Sequence, residues 1–184
     1  MILKLVERRS RPEALGYDWG PAGSPSALLA AVADPLGAPG WVVDVVLVDD
    51  QAMAELNRGF RQVSGVTDVL SFSYLQEAGP GAPDLAAGDG HARANLWLDM
   101  QAGDPENGSA PVVGEVVLAP GFVVRRCREK GWPVEHEIPL LLVHGMLHIL
   151  GWDHADDRET EDMQAVEEKI LAAVDLPHPL RERS

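Results

Sequence analysis

The chain has 184 residues, with 15 basic and 29 acidic side chains and a formal charge of −14. That length suits one domain whose core is large enough to fold without a disulfide or a structural metal, and 46% apolar content excludes a disordered chain. A single cysteine, Cys127, excludes a disulfide framework and a four-cysteine zinc ribbon, and fits a reducing cytosol.

Ile2 to Val6 is a short apolar run that reads as a strand, and the charges in MILKLVERRS stand where a signal peptide needs an apolar core. A cytoplasmic location is therefore expected. Residues 10–25, punctuated by Pro12, Gly16, Gly20, Pro21, Gly23 and Pro25, read as a loop. Ser26 is the expected N-cap of a helix ending near Pro35 and Gly37. Trp41 to Val48 predicts a buried strand, and Asp49-Asp50 then opens a helix with Ala52, Met53, Leu56 and Phe60 at helical spacing. Val69 to Tyr74 alternates like a half-buried strand. Residues 76–112, rich in Gly and Pro, read as a surface-loop insertion within one domain spanning 1–184, with Leu96 and Trp97 giving it partial order.

Gly114 to Ala119 predicts a buried strand, followed by a helix from about Pro120 to Lys130 with Gly131 as its C-cap. Pro133 opens the next helix, which runs to about Leu150 and stops at Gly151. Its apolar stretch, Ile138 to Trp152, carries two histidines and is shorter than the roughly 18 residues of a membrane span. A final amphipathic helix after Asp156-Asp157 places Met163, Val166, Ile170 and Leu171 inward. Strands and helices mix without regular βαβ alternation. The expected fold is α+β, a small mixed β-sheet packed with several helices, with a metal site on the C-terminal helix pair.

The acidic balance argues against indiscriminate nucleic-acid binding, although the charge is uneven. Eight acids fall between Asp153 and Glu168, whereas Arg125, Arg126, Arg128 and Lys130 cluster within six positions. Those four read either as cations matching a helix dipole or as a local RNA-contacting face.

The chemistry lies in His144-Gly-Met-Leu-His148-Ile-Leu-Gly151-Trp-Asp-His154. Residues i and i+4 of a helix sit about 40° apart around the axis, so His144 and His148 form a bidentate clamp. A reversal at Gly151 lets His154 supply a third nitrogen, leaving one tetrahedral position open, as in catalytic zinc sites. Imidazole ligation also suits nickel, copper or iron. One histidine on an apolar helix usually belongs to the core; three at offsets of 0, 4 and 10 do not. His91, His136 and His178 read instead as structural or solvent-exposed. The spacing matches HExxHxxGxxH proteases, but Gly145 replaces their glutamate base, which disfavours peptide hydrolysis. Asp153 could orient an imidazole, accept a proton or simply form the turn.

This segment resembles the signature HGxLHLxGYDH of the YbeY family, zinc-dependent endoribonucleases of ribosomal RNA maturation and small-subunit quality control. Leu56-Asn-Arg-Gly-Phe-Arg61 with Thr67-Asp-Val-Leu-Ser-Phe72 is similar to its LNxxYR…TDVLSF segment, and Gly114-Glu-Val-Val-Leu118 resembles its LGDI(V/I)I strand. The chain departs from the pattern at Ser64, Val66, Glu115 and Trp152, none a metal ligand. The resemblance implies His144, His148 and His154 as ligands of one Zn²⁺ per chain, and Arg61 as the catalytic-site arginine that handles RNA. It also implies ribosomal RNA and the small subunit as partners, with ribosomal proteins as further candidates, and no membrane. The expected activity is a metal-dependent, single-strand-specific endoribonuclease. The alternative is a non-catalytic ribosome-assembly factor with a structural zinc site.

Overall fold

The computed structural model describes residues 2–7, 42–74 and 112–179. The expected helix at Ser26, the loop at 10–25, His91, and residues 76–111 of the expected insertion lie outside them. Eight elements follow in chain order: β1 (Ile2–Glu7), β2 (Val42–Leu47), α1 (Asp50–Arg61), β3 (Val69–Ser73), β4 (Val112–Leu118), α2 (Pro120–Lys130), α3 (Val134–Ile149) and α4 (Asp157–Ala172). All the strand and helix expectations within the described residues are met to within two residues at each end.

The sheet order is β1-β2-β4-β3. β1 and β4 each run parallel to β2, and β3 closes the edge antiparallel to β4, so the sheet is mixed as expected. Pairing of β2 with β4 steps from Val42↔Val112 to Val43↔Gly114, leaving Val113 as a bulge. Strand alternation then sorts the valines onto two faces. Val43, Val45, Leu47, Val116 and Leu118 meet α3, while Val46, Val48, Leu70 and Val117 form a second core with Met53 of α1.

α3 is buried almost all round. Leu142, Val143, Met146 and Leu147 are each at most 1% exposed, because the helix packs on β3 and β4 while α2 and α4 pack on it. Burying a side chain of this size contributes about 1.5–3 kcal/mol, which makes α3 the main hydrophobic anchor of the described fold. Gly114 and Gly145 allow the close approach. A Cβ at Gly114 would stand 2.6 Å from the Phe72 carbonyl oxygen and 2.9 Å from Ile149, and one at Gly145 would stand 2.8 Å from Val116 Cγ1.

The helix ends follow their local chemistry. Asp49 accepts from the Ala52 N–H at 3.0 Å, and Pro120 occupies the first turn of α2. Gly131 and Gly151 both take left-handed conformations, φ 69° and 82°. After each, the next N–H reaches back five residues, Trp132 to the Cys127 carbonyl at 2.9 Å and Trp152 to that of Leu147 at 3.0 Å.

Phe60, at helical spacing with the inward residues of α1, is 66% exposed. It lies beside β3, the edge strand among the described residues, and meets Phe72 edge-on at 4.7 Å between centroids.

Candidate metal centre

α3 carries His144 and His148 on its last two turns, and the Gly151 reversal returns the chain so that His154 joins them. The three rings gather at centroid separations of 4.5, 5.0 and 5.4 Å, and their ligand atoms lie within 4.8 Å of one another. The loop bearing His154 is pinned by the start of α4. Asp156 accepts from the Glu159 N–H at 2.8 Å, and Glu159 Oε2 accepts from the Ala155 N–H at 3.1 Å, a reciprocal capping arrangement.

Hydrogen bonding sets which nitrogen each ring presents. His144 Nδ1 lies 2.8 Å from Glu167 Oε1, and His148 Nδ1 lies 2.9 Å from the Trp152 carbonyl oxygen. A carboxylate and a carbonyl can only accept, so both Nδ1 atoms carry a hydrogen, and in the neutral rings that ligate metal both Nε2 atoms present lone pairs. Those lone pairs face each other at 3.1 Å. The arrangement is repulsive by itself and favourable around a cation. Two Zn–N bonds of tetrahedral geometry would place their nitrogens about 3.3 Å apart. The donor set therefore fits a divalent metal with affinity for imidazole.

Electrostatics point the same way. Burial, followed by the neighbouring His144 and His154, holds the His148 imidazole below its ordinary pKa of 6.5, against the opposing effects of the Trp152 carbonyl and Asp153. A neutral imidazole is the form that ligates metal. Glu167 is 2% exposed and brings a negative charge against the cluster.

Asp153 accepts the His154 N–H on its own Oδ1 at 2.8 Å, the turn role among its three alternatives. Gly145 faces Val116 of the sheet rather than the histidines, so its position offers no place for a base. Arg61 ends α1, exposed, and makes no hydrogen bond or ion pair with a described residue.

The basic run on α2 does not form one face. Arg126 turns inward to pair with Asp68 and, at 2.8 Å, with Glu137 Oε1, and Arg125 pairs with Asp50. Only Arg128 and Lys130 project freely outward. Burial raises the Asp68 pKa, but the Arg126 charge and its hydrogen bond prevail and hold it below 3.8.

Glu167 and His178 were not identified as site residues from sequence. Glu167 left a signal, because it falls within the apolar stripe of Met163, Val166 and Ile170, where a carboxylate needs a buried partner. His178 left none.

The family profile described as endoribonuclease YbeY matches residues 26–175. The chain belongs to the YbeY family. A relative named endoribonuclease YbeY from Moorella thermoacetica is 38% identical over 150 residues, which is 81% of this chain and 83% of the relative. A relative of the same name from Rhodococcus opacus is 33% identical over 133 residues, 72% of this chain and 63% of the relative. The solution structure of TM1509 from Thermotoga maritima matches with a TM-score of 0.50 at 22% identity, covering 94% of this chain and 89% of that one, a likeness of fold. In this YbeY-family chain the histidine triad and the mixed sheet on which its helix packs are both present. Among the described residues, no helix is long and apolar enough to cross a membrane.

Proposed function

We propose that this chain is a zinc-dependent endoribonuclease of one domain that cleaves single-stranded ribosomal RNA during rRNA maturation and small-subunit quality control in the cytoplasm. The observation that carries the reading is the pair of opposed Nε2 lone pairs, fixed by Glu167 and the Trp152 carbonyl, in a chain of this family. Zinc held by His144, His148 and His154 supplies a Lewis acid that offsets the charge a phosphodiester gains as it is cleaved. Glu167 and the Trp152 carbonyl hold the imidazoles in their ligating tautomers. Arg61, exposed at the end of α1, presents a guanidinium fork to phosphate. The Gly145 position, closed against Val116, leaves no room for a protease-type glutamate, so peptide hydrolysis is not expected.

One observation favours a second reading, an assembly factor with a structural zinc. Glu167, the buried carboxylate touching the triad, already spends both oxygens on imidazoles. Metal analysis and an rRNA cleavage assay on one preparation separate the two. The nuclease reading expects about one zinc per chain, cleavage lost with metal in the His144→Ala, His148→Ala double variant, and Arg61→Ala losing cleavage while keeping metal and melting temperature. Arg61→Lys recovers part of that loss. Metal-loaded protein that never cleaves rRNA but sediments with small subunits supports the assembly factor. Cleavage surviving in the double variant belongs to a contaminant.

A further inference from the structure

α4 turns Met163, Ile170 and Leu171 into the core and places Glu167 in the same buried stripe. A carboxylate removed from water costs several kcal/mol unless its oxygens are satisfied. Here both are: Oε1 meets His144 Nδ1 at 2.8 Å, and Oε2 meets His178 Nε2 at 3.0 Å. His178 reaches that oxygen because the chain doubles back after α4. Asp175 adopts a left-handed conformation, φ 58°, and the Leu176 N–H donates to the Leu171 carbonyl at 3.0 Å. Leu176 then packs on the main core, and His178 is buried at 4% exposure. The carboxylate can only accept, so His178 donates from Nε2, while its buried Nδ1 has no partner. The ring thus spends its one polar contact on Glu167.

We infer that His178 is a positioning residue of the metal centre, acting through Glu167, and that the reversed segment after α4 is a strap that sets the tautomer of His144. The inference rests on the reading of His144, His148 and His154 as metal ligands. With one oxygen fastened by His178, the Glu167 carboxylate cannot rotate, and its other oxygen stays aimed at His144 Nδ1. His144 then keeps its hydrogen on Nδ1 and its lone pair on Nε2, toward the other two rings. Without the strap, Glu167 has a free oxygen in an apolar setting and is free to reorient, and the His144 tautomer is no longer dictated.

The test compares His178→Leu, which keeps much of the volume and removes the donor, with His178→Gln, whose amide can donate to the same oxygen. Zinc affinity is measured by chelator competition on the full chain, and the His144 tautomer by ¹H–¹⁵N correlation of its ring in chelator-stripped protein. His178→Leu is expected to bind zinc about tenfold more weakly, the low end of what loss of an outer hydrogen-bond partner costs, and to lose the dominance of the Nδ1–H form. His178→Gln restores most of both. Unchanged affinity and tautomer in His178→Leu would overturn the positioning role while leaving the metal centre standing. Equal losses in both variants would also overturn it, since a packing defect would then explain them. Wild-type protein that takes up no zinc would overturn the metal reading and this inference with it.

Discussion

Gly145 shows how one residue decides which chemistry a helix can host. Its missing side chain is the contact by which α3 seats on β4, and Val116, fully buried on a central strand, has little room to retreat. Gly145→Ala gains about 1 kcal/mol of helix propensity but overpacks the contact at a cost of about 1–3 kcal/mol. Net destabilisation of up to about 2 kcal/mol is expected, read as a lower urea midpoint; a stabilised variant would show that the seam is looser than its distances indicate. His148 carries a pH signature of its own. Its folded-state pKa lies below 6.5, so in acid the unfolded chain binds the proton first. The stability it contributes is whole above the unfolded value and is lost as pH falls through the folded one. Urea unfolding of chelator-stripped protein between about pH 7.5 and 5.5 should show that decline, and His148→Asn should flatten it. A profile as steep in the variant would assign the proton uptake to another group.

Between elements, the decisive link is Arg126, which ties the start of β3 through Asp68 to α3 through Glu137. Removing it takes an ion-pair partner from Glu137, whose side chain is only 5% exposed. Breaking a buried pair in this way costs about 3–5 kcal/mol, and the partial exposure of Arg126 places the expected loss for Arg126→Ala near about 3 kcal/mol. The midpoint of urea unfolding reads it. A loss near zero would return Arg126 to the surface run from which the sequence could not distinguish it. A row of Arg and Lys records charge but not which side chain turns inward, since the partners lie 58 residues back and 11 ahead. Element ends were legible for the opposite reason: Gly131, Gly151, Pro120 and Asp49 act on their immediate neighbours. The histidine triad was legible because two of its members share a helix and the third follows one turn-forming glycine. Its support was not, because Glu167 is 23 residues from His144 and belongs to another helix.

For the whole molecule, charge is the governing quantity. With a formal charge of −14, the proposed RNA contact has to be local and to oppose the average field. On single strands each phosphate contact adds about 0.7 to the slope of log affinity against log salt. Arg61→Ala should therefore reduce that slope by about 0.7, measured in RNA-binding titrations at graded salt; an unchanged slope would remove Arg61 from the phosphate contacts. The junction of β3 with β4 has a different kind of consequence. The two strands are antiparallel neighbours, paired from Val69↔Leu118 to Ser73↔Gly114, and the Tyr74 N–H adds a rung to Val113 at 2.9 Å. Tyr74 and Val113 thus stand at adjacent points, and a flexible connection between such points changes its closure cost only logarithmically with length, about 0.6 kcal/mol per doubling. The junction is a length-neutral joint. Shortening that connection, or having it carry a foreign tag, is expected to leave the β3–β4 pairing on which α3 packs unchanged.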